Sequence, residues 1–391
     1  MTSVDVLVAG SGPAGSAVAA ALAREGASVM LVEAARHPRP KACAEYASPR
    51  VVEELARIGM EVAAWTDAAV PLRGMDLHVG SACVRLGYAE RSGRRRMAWG
   101  LDRRRFDARL AAHAARSGAT LLEHTRVVRL LSEDGRVVGA RLRDATSGRE
   151  TEIRADWVVG ADGARSTVAR QLGVERRVLA PRRLGLVAHY TGVAGLADHG
   201  EMHVGRDWYV GLAPTPGGEM NVGMALPLDA ASGSSAARFA GAIEGLPAVA
   251  DRLRGAQRLT PIRGAAPIGH RVGRAAGPGW LLVGDAAGFV DPFTGEGIHR
   301  ALRSARAAAD AILAGGDVAA AYRQQRRRAF AAKSTLSWLV QGFLAVPWLI
   351  ERAVSRLEAR PHAALLLGSA LGDCRPATDA LTPRAIMQVL R

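Results

Sequence analysis

The stretch Val4–Gly15 reads VDVLVAGSGPAG, and it decides the fold of this chain. Its first six residues are nearly all apolar, which is typical of a parallel strand buried on both faces. The Ala-rich segment Ser16–Glu25 favours a helix, and Gly26 is suited to end it. Ser28–Val32 is a second apolar strand, followed directly by Glu33. Strand, glycine-rich turn, helix, strand and acid in this order predict a βαβ unit that binds a dinucleotide.

Each glycine of the turn has its own physical task. Gly10 permits the tight turn, Gly12 lets the backbone approach a pyrophosphate, and Gly15 lets the helix pack closely on the strand. The unpaired N–H groups and the dipole at the helix N-terminus attract the phosphates. Glu33 can accept hydrogen bonds from an adenosine ribose and would repel a 2′-phosphate, which disfavours NADP here. The predicted dinucleotide contacts of this unit are Gly10, Ser11, Gly12, Pro13, Ala14, Gly15, Glu33 and Ala34.

Two later segments also run from a buried strand into a Gly/Asp turn and then a helix. Residues 158–166 read VVGADGARS, and residues 280–298 read WLLVGDAAGFVDPFTGEGI. Together with the N-terminal turn, they resemble the three motifs of the p-hydroxybenzoate hydroxylase superfamily of FAD-dependent oxidoreductases. The pattern from Gly284 to Ile298 is similar to that of its geranylgeranyl reductase-like branch. The resemblance implies FAD as the cofactor. NAD(P)H, for which no second glycine fingerprint is present, would be a transient reductant.

The resemblance also implies the architecture. We expect an α/β fold in which a Rossmann-like FAD-binding domain of the glutathione reductase type is interleaved with a mostly antiparallel β-sheet substrate domain. A helical C-terminal region would follow. The expected segments are FAD-binding at 1–72, 100–175 and 263–330, substrate-domain at 73–99 and 176–262, and helical at 331–391.

The same resemblance implies roles for individual residues. Asp285 would hold a ribityl hydroxyl, while Gly295 and Gly297 would leave room for the isoalloxazine edge and direct amides toward flavin N1 and O2. Asp162 and Gly163 would lie near the pyrophosphate. The remaining implied contacts are Arg103 at a helix start, Val127, Gly284, Pro292 and Ile298. No metal site is predicted.

The loop Lys41-Ala42-Cys43 stands where family members carry a Lys-x-Cys-Gly loop beside the flavin, so all three residues are expected to contact the cofactor. Here Ala44 replaces the glycine, which puts the loop conformation in question. Cys43 is expected to pack against the flavin as a small apolar group, with a redox role as the alternative. Cys43–Pro49 is similar to a Cys-Ala-Glu-Tyr-x-Ser-Pro loop of flavoproteins thought to oxidise phenolic polyketide lipids.

The region between the flavin segments has the pattern of a sheet. Predicted strands lie at Leu184–Tyr190, Glu201–Val204, Trp208–Leu212 and Met220–Leu226. One face of this sheet is expected to cover the flavin and to form the pocket for a small hydrophobic or aromatic substrate. His189 and His203 are candidates for a general base and Tyr209 for a further catalytic residue. A purely structural role is the alternative for each.

The net charge of +15 comes almost entirely from arginine, since Lys41 and Lys333 are the only lysines. The arginines are spread along the chain without interleaved aromatic residues, so no nucleic-acid partner is predicted. Three cysteines and the lack of a secretory signal favour the cytoplasm. The apolar stretch Leu336–Ile350 is too short to span a membrane. It predicts a helix interrupted near Pro347 that packs over the substrate domain. The alternative is an amphipathic lid, or a patch in contact with a membrane surface, that admits an apolar substrate.

The motifs are compatible with several reactions. Halogenases of the superfamily carry a Trp-x-Trp-x-Ile-Pro segment and isoprenoid-saturating reductases a Tyr-x-Trp-x-Phe-Pro segment, but residues 208–214 match neither. We therefore expect an NAD(P)H-using monooxygenase that hydroxylates a phenolic or polyketide-type molecule through a flavin C4a-hydroperoxide. The alternative is a reductase that saturates an isoprenoid or lipid alkene. A halogenase and a non-catalytic electron carrier are the remaining candidates.

Overall fold

The computed structural model describes residues 2–178, 180–195, 197–228 and 233–390. A parallel sheet forms the centre of the molecule, and its central strands are buried on both faces, as their apolar sequences require. Its strands are, in spatial order, Thr120–Leu122, Val29–Val32, Thr2–Ala9, Glu150–Gly160 and Trp280–Leu282. Three further strands extend it in antiparallel pairing, namely Thr125–Glu133, Arg136–Asp144 and Ala276–Gly277.

The second large sheet has nine strands and is antiparallel except where Gly200–Val204 pairs with Gly74–Val79. Its strands are, in spatial order, Gln257–Arg258, Arg183–Thr191, Glu219–Pro227, Tyr209–Thr215, Gly200–Val204, Gly74–Val79, Ala82–Ala89 and Arg95–Arg96, with Arg263–Ala265 beside Arg183–Thr191. Two small sheets complete the β structure, one made of Tyr46–Ala47, Ala98–Leu101 and Ala69–Leu72 and the other of Glu175–Arg176 and Arg271–Val272.

Helices cover the sheets and form the C-terminal region. They are Pro13–Arg24, Val51–Arg57, Arg103–Arg116, Thr167–Gln171, Ser235–Glu244, Pro247–Leu253, Gly297–Ala314, Val318–Leu344, Pro347–Glu358, Pro361–Leu371, Ala377–Ala380 and Pro383–Leu390. The predicted α/β fold class is confirmed. The interruption at Pro347 is also confirmed, because the chain bends by 113° between Val318–Leu344 and Pro347–Glu358. The segment boundaries given above stay a prediction.

The two faces of the nine-stranded sheet are covered by different elements. Leu77 and Met202 on one face pack in a core with Leu336 and Ile350 of the C-terminal helices. On the other face Leu212, Val222 and their neighbours pack in a core with Phe239 and Val249. These two residues belong to the helices Ser235–Glu244 and Pro247–Leu253. Because side chains alternate between faces along a strand, this arrangement decides which residues can reach the dinucleotide motifs.

A buried ionic cluster fastens the C-terminal region to the rest of the molecule. Lys333 donates hydrogen bonds to the carbonyls of Ala370 and Leu371 and pairs with Asp373 at 3.0 Å and with Glu296 at 3.5 Å. His299 lies 2.9 Å from the second oxygen of Asp373. Burial opposes ionisation of Asp373, but Lys333 and His299 together hold its pKa well below the usual value. The C-terminal helices are therefore packed on the dinucleotide motifs and joined to them by buried ion pairs.

No single helix among the described residues is long and apolar enough to cross a membrane. The bent pair Val318–Leu344 and Pro347–Glu358 passes that test of length and composition only when taken together.

We expect Lys333→Met to lower the free energy of unfolding by about 3–5 kcal/mol, because it leaves the buried carboxylates of Asp373 and Glu296 without their cation. Chemical denaturation measures the loss. Arg328→Met, at an exposed position of the same helix, is the control and should change stability by less than about 0.5 kcal/mol. Equal effects of the two substitutions would contradict the role given to the buried cluster.

Candidate functional site

The sequence motifs meet at one edge of the parallel sheet. The strands Thr2–Ala9, Val29–Val32, Glu150–Gly160 and Trp280–Leu282 run in the same direction, so their carboxyl ends lie side by side. Directly beyond these ends come the glycine-rich turn at residues 10–15, Glu33, Asp162 with Gly163, and Gly284 with Asp285. In open α/β sheets this carboxyl edge is where ligands bind.

The glycine-rich turn has the geometry that a pyrophosphate needs. Gly10 adopts a φ of +98°, and a Cβ there would lie 2.7 Å from the carbonyl oxygen of Ala161. A Cβ at Gly15 would lie 1.8 Å from the carbonyl oxygen of Gly10. At Gly12, by contrast, a Cβ would meet only the Arg39 guanidinium, at 3.7 Å. Among the described residues no side chain caps the helix that begins at Pro13, so its first amides remain available to a ligand.

Glu33 organises the outer end of this turn. Its carboxylate accepts hydrogen bonds from the backbone N and the Oγ of Ser11, both at 3.0 Å, and pairs with Arg39 at 3.1 Å. Burial opposes ionisation, yet Arg39 and these hydrogen bonds hold the pKa of Glu33 below its usual value. Of the other predicted contacts, Ala34 follows Glu33 and is exposed. Val127 is buried in the strand whose first residue, Thr125, donates its amide to the carbonyl of Glu33.

Asp162 has a local structural task. Its carboxylate accepts from Ser166 Oγ at 2.5 Å and from the amides of Thr167 and Val168, so it caps the helix Thr167–Gln171. The turn it forms with Gly163, whose φ is +79°, rests against Gly10: a Cβ at Gly10 would lie 3.0 Å from Cα of Asp162. The structure thus brings both predicted residues next to the glycine-rich turn through their backbone.

The third motif, residues 280–298, leads into a second helix N-terminus. Gly284 and Gly295 adopt φ values of +58° and +65°, and the helix Gly297–Ala314, in which Ile298 is buried, begins without a side-chain cap from the described residues. A Cβ at Gly297 would meet only Phe289, at 3.7 Å. Pro292 opens the short turn before this helix. At Gly295 a Cβ would lie 2.8 Å from the ring of Tyr46. The roles given to Gly295 and Gly297 toward the flavin stay a prediction.

The loop that contains Lys41, Ala42 and Cys43 lies between the third motif and the nine-stranded sheet. Lys41 Nζ is 3.9 Å from Asp285, and the carbonyl of Cys43 accepts a hydrogen bond from Asn221 at 3.0 Å. The positive φ, 58°, falls on Glu45, so Ala44 does not need the conformation that a glycine would supply. The left-handed conformation in this loop belongs to Glu45, a non-glycine residue for which it is strained.

Arg103 holds the Cys43 side of this loop. Its buried guanidinium makes a two-pronged ion pair with Asp107 and donates from Nη1 to Cys43 Sγ at 3.1 Å. Burial disfavours the charged form, but the charge of Asp107 raises the pKa of Arg103. Arg103 therefore carries a permanent positive charge beside Cys43.

The same loop brings a carboxylate to one of the predicted histidines. Glu45 is buried, accepts from the backbone N of Arg103, and lies 2.7 Å from Nε2 of His189. The hydrogen bond to Glu45 raises the pKa of His189 in spite of its burial.

The Oδ1 of Asn221, the cross-strand neighbour of His189, is buried and has no hydrogen-bond partner among the described residues. Glu45 and Asn221 are site residues that were not predicted from the sequence. For Glu45 the quoted loop pattern was the available signal, whereas no signal pointed to Asn221.

Tyr209 and His203 end on opposite faces of the nine-stranded sheet. Tyr209 donates to Asp291 of the third motif at 2.6 Å, while Arg183 pairs with the other oxygen of Asp291 at 2.5 Å. Burial and the Asp291 charge raise the pKa of Tyr209 well above its usual value. His203 packs away from the motifs, 2.9 Å from Glu201. His189 and Tyr209 therefore lie on the face of the nine-stranded sheet that is turned toward the dinucleotide motifs, which we call the motif side. His203 lies on the opposite face.

Within the described residues, His78, Glu201 and His203 form the one group whose ligand atoms lie close enough to hold a metal ion, within 4.8 Å of one another. Arg252 already donates to Glu201, and the two imidazole rings are stacked 4.4 Å apart with planes 3° from parallel. Parallel stacked rings do not direct their lone pairs to one point. The group is therefore built as an ion-paired stack, and we assign no metal to it.

Comparison with known proteins identifies the family. The model of the FAD binding domain family matches residues 3–234. This chain belongs to the FAD-dependent oxidoreductases of the p-hydroxybenzoate hydroxylase type. The flavoprotein is 33% identical to a menaquinone reductase of Mycolicibacterium smegmatis, over 81% of this chain and 78% of the relative. It is 32% identical to a digeranylgeranylglycerophospholipid reductase of Methanosarcina mazei, over 80% of this chain and 77% of the relative.

A solved structure shows the same fold. The flavin-dependent brominase Bmp2 superposes with a TM-score of 0.84, at 21% identity and over 99% of both chains. At that identity the likeness shows the fold of the flavoprotein alone.

The residues at the sheet edge fit FAD. Gly12, which has no side chain, and the uncapped helix that begins at Pro13 suit the pyrophosphate. Glu33 suits the adenosine ribose. Asp285 and the uncapped helix that begins at Gly297 suit the ribityl chain and the flavin ring. Each element offers the group that its part of the cofactor requires.

We expect Gly12→Ala and Gly15→Ala to fail in different ways. The Gly12 Cβ makes only an ordinary contact with Arg39 in the protein, at 3.7 Å, but enters the path of the pyrophosphate. FAD affinity should therefore fall about tenfold or more while stability stays close to wild type. The Gly15 Cβ collides with the Gly10 carbonyl, which should cost about 1–3 kcal/mol of stability. Flavin fluorescence titration and denaturation of the apoprotein measure the two effects.

Gly241→Ala, where a Cβ would meet nothing within 4 Å, is the control. Loss of stability in Gly12→Ala would contradict this assignment.

Proposed function

We propose that this flavoprotein is a reductase that saturates an alkene of an isoprenoid or lipid substrate. The observation that carries the proposal is the similarity to two relatives that are each more than 30% identical to this chain and are both named reductases. One of them acts, by its name, on a lipid with geranylgeranyl chains. The hydroxylation of a phenol, which the sequence alone favoured, has no counterpart in either name.

Saturating a double bond adds a hydride to one carbon and a proton to the other. Reduced FAD supplies the hydride when it is bound. The protein must hold the alkene, exclude water and deliver the proton. Among the predicted catalytic residues, His189 combines a place on the motif side of the sheet with a charge-stabilising partner.

Glu45 and Thr260 hold the imidazole of His189 in one orientation. Thr260 Oγ1 accepts the backbone amide of His189 and lies 3.3 Å from Nδ1, while Glu45 lies 2.7 Å from Nε2. Because Glu45 raises the pKa of His189, the imidazole keeps its proton to a higher pH than a free histidine would. We assign His189 as the source of the proton and Glu45 as the residue that positions and charges it. Glu45 retains the proton on Nε2, while Nδ1 passes its proton to Thr260 Oγ1, whose own hydroxyl proton goes to the alkene.

NAD(P)H is the reductant that we propose for the cofactor. The described chain has one dinucleotide fold, so the nicotinamide would visit the flavin and leave.

The reaction type is tested without oxygen. The FAD-loaded protein, reduced with dithionite and mixed with a geranylgeranyl glycerophospholipid, should return to oxidised flavin, and the lipid should gain two hydrogens per double bond by mass spectrometry. A parallel sample in air receives NADH or NADPH and a phenol. An oxygen-dependent gain of one oxygen in the phenol, with no change in the lipid, would overturn the reductase and support hydroxylation. A product that appears only with bromide or chloride would support a halogenase.

The pH dependence tests the proton donor. If protonated His189 is required, turnover falls as the pH rises through the pKa of His189. In Glu45→Gln that pKa drops because the charged partner is lost, so the fall should move to lower pH. His189→Gln should reduce kcat by about 10²–10⁴-fold and remove the limb. His203→Gln, on the opposite face, tests the other predicted base. A larger loss in His203→Gln than in His189→Gln would show that the assignment is wrong.

A further inference from the structure

The bend between Val318–Leu344 and Pro347–Glu358 carries an exposed aromatic surface. Among the described residues five large apolar side chains are exposed, namely Val62, Leu259, Leu313, Trp338 and Trp348. The two tryptophans, 49% and 66% exposed, both belong to this bend. Tryptophan combines a large apolar ring with a polar N–H, which suits it to the boundary between water and lipid. We call residues 335–349 the bend surface.

The inner and outer sides of the bend differ sharply. Leu336, Leu344 and Ile350 point inward and are buried in the core against the nine-stranded sheet. Exposed positions recur on the outer side of the long helix, mostly at three- and four-residue intervals. They are Arg323, Gln324, Arg327, Arg328, Ala331, Thr335, Trp338 and Gly342, with Ala345 directly after the helix. This spacing defines one continuous outward stripe.

The stretch that contains the bend surface is basic as far as Ile350, and the exposed Glu351 and Arg352 follow it directly. No Asp or Glu occurs between Asp317 and Glu351, a stretch that contains four arginines and Lys333. Lys333 is buried in its ionic cluster, whereas Arg323, Arg327 and Arg328 are exposed on the outward stripe. Arg327 precedes Trp338 by eleven residues, three helical turns, and so shares its side of the helix about 16 Å away. Cations on the same side of a helix as an exposed indole complement an anionic lipid surface.

The inner side of the same helix touches the flavin motifs. Ser337, next to Trp338, donates to Glu296 at 3.1 Å, and Gln341 accepts from Arg183, the partner of Asp291. A lipid bilayer against the outward stripe would therefore lie about one helix diameter, ~10 Å, from the third motif. An extended isoprenoid or acyl chain is longer than this distance.

We propose that the bend surface docks this flavoprotein on an anionic bilayer, with Trp338 and Trp348 at the lipid boundary and the arginines of the stripe over the headgroups. The proposal deepens the proposed function, because it supplies the source of a lipid substrate, but its test needs no turnover.

The experiment is cosedimentation of the FAD-loaded full chain with sucrose-filled vesicles of phosphatidylcholine, with and without an equal part of phosphatidylglycerol. The wild type should bind the anionic vesicles and lose binding as salt is added. The double substitution Trp338→Ser with Trp348→Ser should lower the partition coefficient about tenfold or more. Leu259→Ser with Leu313→Ser, exposed apolar positions elsewhere, is the matched control and should bind as the wild type does.

A second measurement separates contact from folding. Brominated acyl chains should quench the tryptophan fluorescence of the wild type and of the control, and the FAD content of all variants should be equal. Wild type that stays in the supernatant, or equal binding by the tryptophan variant, overturns the proposal. A wild type that is dimeric without lipid, with a monomeric tryptophan variant and no vesicle binding, would instead make the bend surface a contact between two copies. Vesicle binding without alkene reduction would leave docking standing and overturn the reductase alone.

Discussion

The tight packing of the helix Pro13–Arg24 on the strand Thr2–Ala9 is the constraint on which the rest of the site depends. The two backbones meet at Gly15 and Gly10, where a Cβ on Gly15 would lie 1.8 Å from a carbonyl oxygen. This contact fixes where the helix starts, and therefore where its unpaired amides point. The Asp162 turn rests on the same place. The edge of the parallel sheet is thus a rigid frame against which the other motifs are positioned.

A second constraint lies in the loop that connects this frame to the nine-stranded sheet. Glu45 holds a left-handed conformation, which costs a non-glycine residue about 1 kcal/mol or more. The loop keeps it there because Leu101 donates to its carbonyl, Arg103 donates to its carboxylate, and His189 lies against the other carboxylate oxygen. The strain and the buried charge are offset by the same three neighbours. A residue that is costly locally is therefore the one that joins the two halves of the site.

The long C-terminal helix connects the site to the outside of the molecule. Lys333, Ser337 and Gln341 are spaced four residues apart and form a polar inner stripe that bonds to Glu296, Asp373 and Arg183. The outer stripe is apolar and basic. The inner side of this helix is hydrogen-bonded to the flavin motifs, and its outer side faces the surroundings. A displacement of the helix would therefore also move Glu296, at the start of the helix in the third motif.

The sequence by itself determined the cofactor-binding frame, the approximate strands and the break at Pro347. These depend on glycines, apolar runs and a proline, whose effects act within a few residues. Only the tertiary structure decided the partners in the site. Glu45 and His189 are 144 residues apart, and His189 and His203 fall on opposite faces. Such pairings depend on strand register and on the packing of distant segments, because a shift of one residue moves every side chain of a strand to the other face.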